Sequence, residues 1–444
     1  MQKSDIYPMI QNKVLFIGLV WPEPTSSAAG KRILQLVEFF LNRGNEVVFS
    51  SAAAKSQASF CFDDAEQMFF NSVKEIPIQL NDSSFNEFLK AYHPDIVVYD
   101  RFVSEEQFGW RVSQECPDSL QILDTEDLHF LRAAREKAFK KKEAIDYYNE
   151  TAVREIASIL RCDLSLIISE FELDLLKSRF QVSPSLLYYL PFLENLCHSE
   201  ERGISSMGIE ISPLHSVPVE MTNKNPLKGF WERQDFIFIG NFLHEPNWQT
   251  VLHLKKSIWQ KIKSQLSDAQ LHIYGAYPTQ KVWDLHQEKD GFLIHGKAEN
   301  ALEEISKARI LLAPIPFGAG QKGKFIDAIQ AGTPIATTSV GAEGMFSDLI
   351  PGIIEDNENK FVTKSIELYQ NRKIWINAQE NGFQILKEKF DKNLLEETFH
   401  QKIKSLQSEL PEHRNRHFIG KILKQNQFNA LKYMSLWIEA KNSR

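Results

Sequence analysis

The chain has 444 residues, 43% of them hydrophobic and 25% charged, with a formal net charge of -7. That length exceeds one ordinary hydrophobic core, so two domains are expected, and the composition excludes disordered and fibrous classes. The acidic balance leaves no footprint for a nucleic-acid groove, so no nucleic-acid partner is expected and any phosphate must be held locally.

The first predicted strand is Val14–Val20, a continuous apolar run suited to a strand buried on both faces. A loop, Trp21–Gly30, leads into a helix with Ile33, Leu34, Val37, Phe40 and Leu41 on one face, which Gly44 ends. Strands follow at Glu46–Ser50, Asp95–Tyr99, Leu120–Leu123 and Leu164–Ile168, with helical stretches between them. The pattern breaks between Glu194 and Arg233, where Ser, Pro, Asn and Gly crowd together. A second series takes over with strands at Phe236–Ile239, Leu271–Tyr274, Phe292–Ile294, Ile310–Ala313 and Pro334–Thr338.

Alternation of this kind predicts an α/β protein with two Rossmann-like, doubly wound parallel-sheet domains facing across a cleft. The boundaries read as 1–200 for the first domain, 201–233 for a connection, 234–400 for the second domain and 401–444 for a helical extension. In that extension Ile419, Ile422, Leu423, Leu431, Met434 and Trp437 are spaced for one apolar stripe. A helix that buries its stripe on the body is favoured there over one lying on a membrane surface. The basic run Lys137–Lys142 reads as a solvated helix face. Cys61, Cys116, Cys162 and Cys197 lack paired spacing, which predicts buried free thiols in place of zinc or a disulfide framework. Neither a secretory leader nor a membrane-length apolar run is evident, so the expected location is the cytoplasm, with room for peripheral association at the inner membrane face.

The segment Phe317–Lys324, FGAGQKGK, carries the clearest chemistry. Gly318, Gly320 and Gly323 satisfy G-x-G-x-x-G, with Glu343 standing 20 positions beyond Gly323; Gly318, Gly323 and Lys324 satisfy the start of a P-loop. Context rejects both patterns. The dinucleotide fingerprint belongs after the first strand of its domain, and a P-loop needs Ser or Thr where this chain has Phe325. What survives is physical: glycines permit close backbone approach, amides at a helix start point at an anion, and Lys322 and Lys324 add cationic heads. A carboxylate at Asp327, in the first helical turn, is placed to accept ribose hydroxyls.

Ile239–Asn247, Leu271–Gly275, Leu312–Thr338 and Gly341–Gly344 resemble the donor half of family 4 retaining glycosyltransferases (glycosyl transferases group 1), whose two-Rossmann architecture is called GT-B. Pro24–Arg32, His93–Val97, Leu123–Arg132 and Ser169–Leu176 extend the resemblance through the first half. It implies a nucleoside diphosphate sugar in the second domain and a glycan, glycolipid or small-molecule acceptor against the first. Lys322 and Lys324 would meet the phosphates, Asp327 the ribose, and Gly341, Glu343 and Gly344 the pyrophosphate or sugar. Gly30 would approach the phosphate from the first domain, with Asn241 and His244 on the donor side. His129 is the candidate for touching the transferred sugar, with Asp127 and Arg132 beside it.

The chain departs from the family in two places. Ala319 stands where many members have the first of two glutamates, and Asp327 replaces the second. Asn241 and Pro246 replace an Arg and a Lys, which shifts phosphate binding onto Lys322, Lys324, backbone amides, His244 and Asn247. The implied reaction is hexosyl transfer to a hydroxyl with retention. It requires no cofactor beyond the donor substrate and no dedicated metal, since the donor half has no D-x-D pair after a strand. A degenerate, non-catalytic nucleotide-sugar-binding protein and a nucleotide-sugar epimerase are the alternatives.

Overall fold

The computed structural model describes residues 12–62, 70–195, 228–346 and 348–442. Residues 201–227 of the expected connection, and Cys197, lie outside them.

The first sheet is built from β1 (Lys13–Gly18), β2 (Glu46–Ser51), β3 (Lys74–Pro77), β4 (Ile96–Asp100), β5 (Leu120–Asp124), β6 (Leu164–Ile167) and β7 (Leu187–Tyr189). They lie in the order β3-β2-β1-β4-β5-β6-β7, every pair parallel. The second sheet uses β8 (Gln234–Ile239), β9 (Leu271–Tyr274), β10 (Phe292–Gly296), β11 (Ala308–Ala313), β12 (Ile335–Thr337) and β13 (Gly352–Ile354). Its order, β10-β9-β8-β11-β12-β13, repeats that of the first six strands and is again wholly parallel. Because strand order reverses between β1 and β4 and between β8 and β11, each sheet opens a crevice beyond its carboxyl ends at that point.

The central strands are buried on both faces, as their uninterrupted apolar runs require: Val14, Leu15, Phe16 and Ile17 of β1 are wholly inaccessible, and so are Ile310 to Ala313 of β11. The chain recrosses between domains where Glu194 and Asp391 form a parallel bridge. Beyond that crossing Phe399, Ile403, Leu406 and Leu410 bury into the first domain's core.

Two expectations need correction. Cys116 and Cys162 are buried free thiols, but Cys61 is exposed. The helix Phe418–Asn442 lies on the first domain, yet Ile419, Ile422, Met434 and Trp437 of its apolar stripe are exposed. Polar anchors hold it instead: Arg111 donates to the Ser435 hydroxyl and Ser83 to the Glu439 carboxylate, while the Gly420 α-carbon lies against the Leu160 carbonyl. Among the described residues, no helix is long and apolar enough to cross a membrane.

Candidate active site between the domains

Phe317–Lys322 follows β11 at the second domain's crevice and feeds the helix Gly323–Gln330. The first amides of that helix lie upstream of any intrahelical acceptor and carry its positive dipole end. Lys322, only 9% exposed, donates from Nζ to the Gly320 carbonyl at 2.7 Å. Lys324 bonds to the Asn247 side-chain oxygen and sits 4.7 Å over the Phe238 ring. Neither makes a direct ion pair with a carboxylate among the described residues. Burial pulls Lys324 down to about 7, helped by repulsion from Lys322, and pulls Lys322 down to about 8 against the attraction of Glu343 and Glu172. Two ammonium groups have thus been brought together without full countercharge.

Glycines of the loop also meet the opposite domain. Gly320, at φ 63°, has the direction of its missing Cβ filled by the Asp127 Cβ at 2.6 Å, and that of Gly323 by the Ala28 Cβ at 2.9 Å. Gly344 lies against Ser169 in the same way, with Oγ filling the direction of its missing Cβ. Each contact crosses from one domain to the other, so these glycines let the domains close on one another. Gly341 packs within its own domain on Thr337, while a Cβ on Gly318 would meet only the Lys322 side chain, at 3.9 Å.

From the first domain, the turn after β5 delivers Asp127, His129 and Arg132. Arg132 donates to both Asp127 oxygens, at 3.0 and 2.7 Å. Burial works against ionisation of Asp127, but Arg132 and His129 outweigh it and hold the carboxyl below its usual range. The His129 ring stacks edge-on against Phe102, with Nε2 3.5 Å from Asp127. Burial, which outweighs the pull of Asp127, depresses His129 to about 4, so its imidazole is neutral near pH 7. His244, from the other domain, is likewise depressed to about 4 by burial, with Arg132 adding to it. These groups and the two lysines form one electrostatic cluster.

The remaining expected residues are already engaged. Gly30 donates its amide to Ser27 Oγ and packs on the Glu23 backbone. Asn241 donates across the cleft to the Ser26 carbonyl at 3.2 Å. Asp327 stands 3.5 Å from Lys31 of the first domain, which pairs with Glu194 at 2.8 Å. Both Glu343 oxygens accept from Arg135, which also donates to the Gly318 carbonyl.

Sequence reasoning missed Arg135, and it missed Glu172, which accepts from the amides of Leu128 and Gly320. Burial and the Asp127 charge push Glu172 up to about 7. Asp100, Arg101 and Glu126 form a further buried group at the ends of β4 and β5. Arg101 lies 3.2 Å from Asp100 and 3.4 Å from Glu126, and both Arg101 and Glu126 hold positive φ, at 69° and 59°. Such backbone strain gathers at functional sites. An acidic residue closing an apolar strand, as in Ile96–Asp100, is the one local signal for this group. Ala319 packs into the first domain's core, which leaves no carboxylate at that position. Among the described residues, no group of three or more His, Cys, Asp or Glu side chains is placed to hold a metal ion.

Residues 233–371 match the family described as Glycosyl transferases group 1. The fold is similar to that of sucrose-phosphate synthase (tll1590) from Thermosynechococcus elongatus, with TM-score 0.60 and 15% identity over 89% of this chain and 99% of that one. It is similar to Anabaena Alr3699/HepE in complex with UDP and glucose, with TM-score 0.60 and 10% identity over 89% and 100% of the two chains. WaaG, a glycosyltransferase involved in lipopolysaccharide biosynthesis, gives TM-score 0.56 and 15% identity over 86% and 98%. Comparison with curated protein sequences gives no match. The family match lies within the second domain, and two parallel sheets that share one order over six strands give the chain a GT-B fold.

Proposed function

We propose that the chain is a retaining glycosyltransferase that moves a hexosyl unit from a nucleoside diphosphate sugar to an acceptor hydroxyl. The observation that carries this reading is the pairing of Lys322 and Lys324 at a helix start. Burial has lowered both, Lys322 repels Lys324 further, and neither has a carboxylate in direct contact. A diphosphate supplies the missing countercharge.

In the reaction the bond between the anomeric carbon and the diphosphate oxygen breaks, and a bond to the acceptor oxygen forms. The acceptor's proton leaves with the diphosphate. Negative charge grows on the leaving oxygen, where fixed amides and ammonium groups stabilise it; one such donor is typically worth ~3 kcal/mol. Neutral His129 can donate to or accept from a sugar hydroxyl without placing a second charge beside the cationic anomeric centre. The contacts of Gly320, Gly323 and Gly344 with the opposite domain close the cleft, so donor entry requires the domains to part and reclosure excludes water. Asp100, Arg101 and Glu126 lie on the acceptor side of this arrangement.

The test is to incubate the protein with a panel of nucleotide sugars, with and without lipid or glycan acceptors. Release of nucleoside diphosphate that rises with an acceptor supports transfer. Donor binding without turnover on any acceptor rejects it in favour of a non-catalytic binding protein.

A further inference from the structure

The outer face of the helix Phe418–Asn442 takes no part in the cleft. Ile419, Ile422, Tyr433 and Trp437 are exposed, Tyr433 by 66% and Trp437 by 63%. At 100° per residue these four fall within about 60° of one another around the helix axis, along a stripe ~27 Å long. Met434, also exposed, widens the face.

Beside this stripe lies a cavity of about 320 Å³ whose lining includes Lys421, Lys424, Lys432 and Trp110 but no carboxylate. Among the described residues none of these lysines is paired with an acid. The helix carries four lysines against a single glutamate, in a protein whose net charge is -7. That glutamate, Glu439, is turned inward onto Ser83. The helix therefore brings lysines beside its apolar stripe, while its own one glutamate is turned away from that face.

We propose that this helix seats the protein on an anionic lipid surface, with Trp437, Tyr433, Ile419 and Ile422 entering the headgroup boundary and Lys421 and Lys432 meeting lipid phosphates. Trp and Tyr favour that boundary, and an amphipathic helix with lysines beside its apolar face is held by both effects together. A second copy of the chain fits the face less well, because each helix brings lysines and offers the other no carboxylate. The inference is independent of the sugar-transfer reading, since vesicle binding is measured without donor or turnover.

The experiment is co-sedimentation of the full chain with vesicles of phosphatidylcholine alone, and of two parts phosphatidylcholine to one part phosphatidylglycerol. Binding to the anionic vesicles, little to the neutral ones, and release by high salt are expected. Lys421→Gln and Lys432→Gln should each lower partitioning about fivefold, and the pair Ile419→Ser with Trp437→Ser should abolish it. All four side chains lie at the surface, so unchanged thermal unfolding confirms that the variants are folded. Equal binding to both vesicle types, no binding, or variants that bind like the parent would overturn the proposal. A concentration-dependent dimer lost in Trp437→Ser, without vesicle binding, would assign the face to a second copy and overturn it equally.

Discussion

Arg135 of the first domain forks onto Glu343 of the second, its two terminal nitrogens 2.7 and 2.9 Å from the two carboxylate oxygens. The same guanidinium reaches the Gly318 carbonyl, so one side chain ties the glycine loop and the segment after β12 to the opposite domain. Arg135→Ala should weaken that docking by ~1.5–3 kcal/mol, the usual scale for hydrogen bonds to charged groups. Amide hydrogen exchange across residues 317–322 reads the effect. Faster exchange there, with the central strands β1 and β8 unchanged, is the expected result; unaltered protection would show that Arg135 does not hold the loop.

The two lysines give a prediction in protons as well as in affinity. Lys322→Ala and Lys324→Ala should each weaken nucleoside diphosphate binding by ~1.5–3 kcal/mol. In the free protein Lys324 titrates at about 7 and Lys322 at about 8, so at pH 8 part of their charge is missing. An incoming diphosphate favours the charged forms, so binding takes up protons, roughly one or more at pH 8 and few at pH 6. Titration calorimetry in buffers of different ionisation enthalpy measures this directly. Absence of uptake at pH 8 would remove the lysines from the phosphate site.

Legibility in the sequence followed burial and distance along the chain. Strands such as β1, β4 and β11 announced themselves because central parallel strands must be apolar on both faces. β3, with the sequence KEIP, and β7 and β13, of three residues each, are short edge strands whose exposure erases that pattern. The glycine–lysine loop was readable because its chemistry is local. Arg135 was not, since its partners Gly318 and Glu343 stand 183 and 208 residues away; nor was Glu172, 148 residues from Gly320. The glycines were recognised but their contacts across the cleft were not: nothing local says that Gly320 faces Asp127.

That last contact is testable by adding one methyl group. Gly320→Ala places a Cβ 2.6 Å from that of Asp127, on a backbone at φ 63°. The left-handed conformation alone costs a non-glycine residue ~1–2 kcal/mol, and the clash adds to it unless the domains separate. The variant should therefore scatter as a more open particle in solution and turn over slowly, with nucleotide affinity changed less than turnover. A particle as compact and as active as the parent would mean that Gly320 is not a closure contact.

His129 and His244 link the cleft to acid stability. Burial holds both near 4 in the folded chain, against an ordinary value of about 6.5 when unfolded. Between those values the unfolded chain binds protons that the folded one refuses. Their contribution is therefore complete above about pH 6.5 and is lost as pH falls toward 4. Urea midpoints should drop between pH 7 and pH 5, and His129→Gln, which cannot titrate, should flatten part of that drop. At pH 7.5, where the imidazole is already neutral, the proposed sugar contact is the role that remains. His129→Ala should then depress turnover while nucleoside diphosphate affinity stays near the parent's, and a variant with parental turnover would take His129 out of the transfer step.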